Sequence, residues 1–199
     1  MSSLTTLAQS LGVAYAAGIN LPATVAVLGV ADRAGWIDPL PGALSVAGSI
    51  WVIALASTLY LMEFVVTLVP GVASVWETVQ SVIRPPAAAL LAVATTYHLS
   101  PTVMVAAGLV GGGLALTTHG TKLGLRYAVD TSPEPVTNGL ANMAEFATIS
   151  SIALFIWNHP FVTLSIAILV LILLILVVRR IVRTLRYIFS GNWRKGVPA

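Results

Sequence analysis

The chain has no cysteine and very little charge. Of its 199 residues, 9% are Asp, Glu, Lys or Arg, and 57% are hydrophobic. The lack of cysteine excludes a disulfide framework and a thiolate metal site. A soluble domain has about a quarter of its residues charged, so this chain has too few charges to cover a surface in water. The sequence therefore predicts a single all-α integral membrane domain over residues 1–199.

Common catalytic and cofactor signatures are also missing. The three histidines, His98, His119 and His159, have no H-E-x-x-H spacing, and without it a metal site is not expected. The sequence has neither a Walker loop nor a G-x-S-x-G elbow, so it predicts no cofactor and no enzyme. Its basic residues form no surface beside stacking aromatic residues, which excludes nucleic acid as a partner.

Four windows contain no Asp, Glu, Lys or Arg. About 20 apolar residues cross the hydrocarbon core as a helix, and each window is at least that long. The first lacks the basic start of a signal peptide, so it is expected to stay as a span. The third is divided at Ser100-Pro101. We expect about six spans, of which the third is short or re-entrant: residues 5–33, 42–67, 86–98, 101–121, 137–157 and 161–182.

Basic residues are concentrated at the C-terminal end. Six of the ten lie from Arg179 onward, with no acidic residue among them. Because basic segments stay in the cytoplasm, residues 179–199 are expected to form a cytoplasmic tail that contacts anionic lipids. Counting the spans back from this tail puts the N-terminus in the cytoplasm as well. The predicted orientation is therefore N-in/C-in.

A short segment before the third span has two different faces. Between Gly71 and Arg84, apolar residues recur at helical spacing, and Glu77 lies on the opposite side. This pattern predicts an amphipathic helix over residues 71–84 that lies in the membrane interface. We expect Pro85 and Pro86 to stop it.

The two halves of the chain, residues 1–99 and 100–190, share features that favour a 3+3 inverted repeat. Each half has a glutamate followed by phenylalanine in its second span, at Glu63 and Glu145. Each first span also contains helix breakers, at residues 18–22 and 111–120. Interrupted helices at matching positions are typical of a transport site near the middle of the membrane. The alternative is that the glycines only let helices pack closely.

Glu63 and Glu145 are candidate proton-coupling residues. An ionisable group within a span costs about 2.5–3.5 kcal/mol on insertion scales, so its presence there indicates a function. The alternative for each is a carboxylate that is paired between helices, or that is hydrated near the interface.

Candidate substrate-binding residues surround the predicted breaks. His119, Lys122 and Arg126 lie at i, i+3 and i+7, which is one face of a helix, and such a face can hold a phosphate, a carboxylate or a lipid head group. The alternative for the two cations is anchoring to the head groups. The other candidates are Asn20 in the first break, Arg84, and Asn138 at the start of the fifth span.

Several motifs extend beyond these single residues. They are Gly18-Ile-Asn, Pro70-Gly-Val with Trp76, Ile83-Arg-Pro, Thr118-His-x-Thr-Lys-x-Gly-x-Arg126 and Ser132-Pro-Glu-Pro-x-x-Asn138. Taken together they resemble bacterial membrane proteins of domain-of-unknown-function family 4126, over roughly residues 10–160. The resemblance implies a small multi-pass protein of the bacterial inner membrane. It also implies that a set of polar residues belongs to the shared pattern: Arg84, His119, Lys122, Arg126, Glu134 and Asn138.

These features favour a small transporter or channel for a small anion or an anionic lipid head group, with protons coupled through the two glutamates. A homodimer is expected, because so small a chain encloses little space. The first alternative is a non-catalytic membrane scaffold or partner subunit, in which the glycines of residues 108–113 serve oligomerisation. The least favoured is a membrane-embedded lipid-modifying enzyme with His119 as its base.

Overall fold

The computed structural model describes residues 2–69, 71–129 and 135–189, and within these ranges it is helical without any strand. Pro101, Pro135 and Pro160 each begin a helix, at the position where the missing N–H costs nothing. The elements are α1 (Ser3–Ile19), α2 (Leu21–Arg33), a 3-10 helix (Gly42–Gly48), α3 (Ile50–Val66), α4 (Val72–Thr95), α5 (Pro101–Val129), α6 (Pro135–Asn158) and α7 (Pro160–Phe189).

The bundle has polar side chains inside and large apolar side chains outside. On α4, Glu77 and Arg84 are completely buried, whereas Val75 and Val82 are 66% and 77% exposed. Two helices in the described part of the chain are long and apolar enough to cross a membrane, α5 over Pro101–Tyr127 and α6 over Val136–Asn158. The 3-10 helix and α3, which meet at 74°, form a third candidate if they make one span. The chain is therefore a helical, membrane-associated protein.

Helices α1, α4 and α5 pack through small residues. A Cβ atom added at Gly111 of α5 would lie 2.9 Å from the Cβ of Ala92 and 3.0 Å from that of Ala14. Helix α5 is continuous from Pro101 to Val129, so the predicted break at residues 111–120 is wrong. At Gly108, Gly111 and Gly112 the absent side chains bring α5 close to its neighbours. At these three glycines the structure supports the alternative interpretation, in which glycine lets the helices pack closely.

The first predicted span is two helices that run in opposite directions. Asn20 has an extended backbone, with φ −154° and ψ 108°, between α1 and α2. Helix α1 runs parallel to α5, since Ala14 contacts Gly111 and Gly18 contacts Ala115. Helix α2 returns, because its Gly29 contacts the 3-10 helix, whose first residue contacts the C-terminal end of α4. The prediction of a single span over residues 5–33 is therefore wrong.

Helix α4 is one helix where the sequence predicts two segments divided by prolines. It continues through Pro85 and Pro86, so the predicted stop there is wrong. Neither proline has an N–H, which leaves the carbonyls of Ser81 and Val82 without their usual helical partners. The predicted segments 71–84 and 86–98 thus form one helix, and the polar side of its first half faces the protein interior.

The two ends of the described chain lie at opposite ends of the bundle. Helix α7 runs parallel to α1, because Thr163 lies beside Gly12, and Leu173 lines the same cavity as Tyr15 and Ile19. The predicted N-in/C-in orientation requires both ends on one side, and the reversal at Asn20 contradicts it. Glu134 and residues 190–199 of the predicted tail lie outside the described residues.

Candidate functional site

Side chains from five parts of the fold converge on one buried group, here called the charge cluster. It contains all eight residues that the sequence singled out for binding or proton coupling, and two more, Glu77 and Asn142. Its members are Asn20 between α1 and α2, Glu63 of α3, Glu77 and Arg84 of α4, His119, Lys122 and Arg126 of α5, and Asn138, Asn142 and Glu145 of α6.

Lys122 is at the centre of the charge cluster. Its Nζ lies 2.7 Å from Glu145 Oε1, 2.8 Å from Glu77 Oε1 and 3.3 Å from Glu63 Oε1. An ammonium group has three N–H donors, and here each has a carboxylate within reach. Lys122 therefore has no donor left for a further anion unless one carboxylate withdraws.

Arg84 forms the second cationic centre, and it is fully buried. Its Nη2 lies 2.5 Å from Glu63 Oε1, and its Nη1 lies 2.6 Å from Glu77 Oε2. Nη1 also donates to Nδ1 of His119 at 3.1 Å, since a guanidinium group can only donate. His119 then carries its proton on Nε2, which lies 2.8 Å from the hydroxyl oxygen of Ser81. The histidine thus extends the hydrogen-bond network toward α4.

Arg126 is held by amides of α6. Its Nη2 donates to Asn142 Oδ1 at 2.6 Å and its Nη1 to Asn138 Oδ1 at 3.3 Å. Glu145 Oε2 lies 4.0 Å from Nη2, at the limit of an ion pair. Asn142 in turn donates to the Thr67 hydroxyl and to the carbonyl of Phe64, and so ties α6 to the end of α3.

Asn20 joins the helix break to the charge cluster. Its Nδ2 donates to Glu63 Oε1 at 2.8 Å and to Glu145 Oε1 at 2.7 Å. Its Oδ1 accepts from the N–H of Ala23, which caps the N-terminus of α2. The Asn20 side chain therefore caps the start of α2 and bridges two carboxylates, one on α3 and one on α6.

The charge cluster is electrically balanced. Three carboxylates face three cations, Arg84, Lys122 and Arg126, and each charged group is at least 88% buried. Buried charges persist only when they are paired and hydrogen-bonded. Three polar atoms of charged members, Glu63 Oε2, Glu77 Oε1 and Arg84 Nε, are buried without a hydrogen-bond partner among the described residues, although Glu77 Oε1 lies 2.8 Å from Lys122 Nζ. The network can therefore form further hydrogen bonds, with the carboxylate oxygens accepting and Arg84 Nε donating.

A cavity of about 740 Å³ adjoins one side of the charge cluster. Three charged residues, Lys122, Arg126 and Glu145, stand on its wall, and α1, α5, α6 and α7 enclose it. Glu63, Glu77, Arg84 and His119 lie behind this wall and do not line it. The other lining residues are apolar or carry hydroxyls: Tyr15, Ile19, Thr117, Thr118, Thr121, Leu125, Ala141, Ala144, Thr148 and Leu173.

Sequence reasoning missed Glu77 and Asn142, although helical spacing could have found both. Glu77 and Arg84 are seven residues apart, which places them on one face of α4. Asn138, Asn142 and Glu145 follow the same i, i+4, i+7 pattern on α6. The sequence pattern instead predicts that Glu77 lies on the polar face of an interfacial helix, because polar side chains of an amphipathic helix ordinarily face water.

The fold and the site define a class: a helical membrane protein with a buried, balanced ion-pair network beside a cavity. Within that class, the chain belongs to the family described as a domain of unknown function, DUF4126, whose profile matches residues 7–180. No curated protein and no solved structure is significantly similar to the chain.

Proposed function

We propose that this protein is a small transporter or channel that moves a small anion or the anionic head group of a lipid. The supporting observation is the cavity, since two of the three charged residues on its wall are cations, Lys122 and Arg126. A cavity of about 740 Å³ has the size of ordinary ligand sites. Guanidinium and ammonium groups on one wall match the oxygens of a phosphate or carboxylate.

An anion reaches Lys122 by exchange with Glu145. Three carboxylates lie within 3.3 Å of Lys122 Nζ, and of these only Glu145 also lines the cavity. Its side chain is 12% exposed, against 3% for Glu63 and none for Glu77. Glu145 is therefore the carboxylate that an incoming anion displaces.

The exchange couples the anion to a proton. The charge cluster starts with equal numbers of carboxylates and cations, so a bound anion leaves one negative charge in excess. An unpaired buried charge is strongly unfavourable, and protonation of the displaced Glu145 removes it. Glu63 is paired with Arg84 and does not line the cavity. The proposal thus assigns the coupling to Glu145 and a supporting role to Glu63.

The proposed setting is the bacterial inner membrane, with several crossings. Helices α3 to α7 cross it in alternating directions, and α1 with α2 forms a hairpin that returns to the side on which it started. The exposed arginines near the end of α7 then lie in the cytoplasm and contact anionic lipids. These are Arg179, Arg180, Arg183 and Arg186.

The two alternatives have less support. The scaffold hypothesis assigned the glycines of residues 108–113 to contacts with another chain, but Gly108, Gly111 and Gly112 pack against α4 and α1 of the same chain. The enzyme hypothesis used His119 as a base. Its Nδ1 accepts from Arg84, and its ring does not line the cavity.

Flux in proteoliposomes tests the proposal. Vesicles with a trapped pH dye receive an inward gradient of inorganic phosphate or of dihexanoyl phosphatidylglycerol, a soluble short-chain lipid with one phosphodiester charge. We expect faster internal acidification with the wild type than with empty vesicles for at least one anion. Arg126→Gln removes a charged hydrogen-bond donor and should slow the flux about tenfold.

Arg180→Gln is the matched control, because it removes the same charge from an exposed position on α7 outside the cavity. Its flux should equal that of the wild type. Acidification that is identical in wild-type and empty vesicles for both anions would refute the proposed transport.

A further inference from the structure

We infer that the cavity binds an anionic phospholipid that enters sideways from the bilayer, and not a free anion that enters from water. This inference rests on the proposed function and names its substrate. The cavity combines a charged wall with an uncharged, largely apolar remainder and an apolar rim. Those three features match the head group, the acyl chains and the route of a lipid.

The charged residues of the cavity all stand on the wall that α5 and α6 form. Lys122, Arg126 and Glu145 are close together, and hydroxyls of neighbouring threonines lie beside them. The rest of the wall is uncharged and includes the apolar side chains of Ile19, Leu125 and Leu173. A phosphate beside the three charged residues therefore leaves most of the volume to an apolar group, which a free inorganic anion does not have.

The rim of the cavity lies on the apolar outer surface of the bundle. Leu125 of α5 and Leu173 of α7 line the cavity and are also 64% and 53% exposed. The nearby α6 surface carries Leu140, 63% exposed. Leu125 and Leu140 lie within two candidate membrane spans, Pro101–Tyr127 and Val136–Asn158, so we infer that they face hydrocarbon.

A free anion would have to cross this apolar rim without its hydration shell, which is costly. A lipid avoids that cost, because its chains stay in an apolar environment while the head group moves from the interface to the cations. Charge complementarity with Lys122 and Arg126 selects an anionic head group over a zwitterionic one. The proton taken up by Glu145 keeps the occupied site neutral.

Equilibrium binding to the purified full-length protein in a nonionic detergent tests the inference. The probes are dihexanoyl phosphatidylglycerol, its chain-free head group glycerophosphoglycerol, and dihexanoyl phosphatidylcholine. We expect the first to bind at least about tenfold more tightly than either of the others, because only it offers both apolar chains and an unbalanced negative charge.

Two variants separate the contributions of chain and charge. Leu173→Gln should weaken phosphatidylglycerol several-fold and leave glycerophosphoglycerol unchanged, whereas Arg126→Gln should weaken both. Leu109→Gln is the matched control, because Leu109 is exposed on α5 and does not line the cavity. It should change neither affinity.

The possible results have distinct meanings. Equal binding of phosphatidylglycerol and glycerophosphoglycerol, with no effect of Leu173→Gln, overturns the lipid inference and leaves anion transport standing. Equal binding of phosphatidylglycerol and phosphatidylcholine overturns the selection of an anionic head group. Failure of all three probes to bind, together with no flux of either anion in vesicles, overturns the inference and the proposed function.

Discussion

At the scale of single residues, Lys122 and Glu145 combine burial with access to the cavity. Lys122 contacts three carboxylates, and Glu145 is the one of them that also faces the cavity. The sequence placed His119, Lys122 and Arg126 on one face, because spacing along a helix is local information. It could not show that Glu77 of α4 and Glu145 of α6 meet the same ammonium group, since that depends on how separate helices pack.

The proposed exchange at Glu145 predicts a pH dependence of ligand binding. If binding transfers a proton to Glu145, affinity is highest at low pH and falls as the pH rises and the free carboxylate ionises. For the uptake of one proton, the affinity changes by at most about tenfold per pH unit. Dihexanoyl phosphatidylglycerol is a suitable probe because its phosphodiester does not titrate over the range from about pH 5 to pH 9.

Glu145→Gln should abolish this slope, since the amide is neutral at every pH. The variant should bind with the affinity that the wild type reaches at low pH. Glu63→Gln is the comparison, because that side chain is buried behind the cavity wall against Arg84. A slope that persists unchanged in Glu145→Gln would show that the proton is taken up elsewhere.

At the scale of the helices, small residues decide how α1, α4 and α5 approach one another. The sequence could not distinguish a broken α5 from a closely packed one, because glycine serves both purposes. The structure distinguishes them, since Gly111 contacts Ala14 and Ala92 within a continuous helix. The predicted helix end at Pro85 and Pro86 is wrong for a similar reason. Proline disfavours a helix interior without forbidding it.

Packing at Gly111 predicts a stability difference between two similar substitutions. Gly111→Val puts new atoms into a contact that is already at 2.9 Å for a Cβ atom, so unfolding should become easier by about 1–3 kcal/mol. Gly113→Val makes the same chemical change on the same helix, where a Cβ atom has nothing within 4 Å. It should cost little, and thermal unfolding in detergent measures both variants.

The packing interpretation fails if the two valine variants have the same melting temperature. Equal destabilisation would mean that both glycines supply backbone freedom, as the interrupted-helix hypothesis required. Assembly state provides a second measurement. If Gly113→Val dissociated an oligomer, the surface of α5 around Gly113 would be a contact with another chain, as the scaffold hypothesis requires.

At the scale of the whole molecule, the reversal at Asn20 sets the topology. Because α2 returns beside α1, the start of α1 and the end of α7 lie at opposite ends of the bundle. The basic C-terminal end is expected in the cytoplasm. The N-terminus is then on the outer side, contrary to the orientation that the span count gave.

Cysteine labelling tests this topology directly, because the chain has no cysteine of its own. Single cysteines at Ser3 and Arg183 should react with a membrane-impermeant thiol reagent from opposite sides of sealed vesicles. A cysteine at Trp36, 66% exposed in the loop after α2, should share the side of Ser3. Labelling of Ser3 and Arg183 from the same side would contradict the hairpin.

The amino-acid sequence by itself determined the class of protein, most helix starts and eight of the ten residues of the charge cluster. These follow from local properties: scarcity of charge, apolar length, proline at the first turn and helical spacing of polar groups. The tertiary structure alone decided the direction of α2, the continuity of α4 through its two prolines, the partners of Lys122 and the existence of the cavity. Each of these depends on contacts between distant segments, which local propensity does not specify.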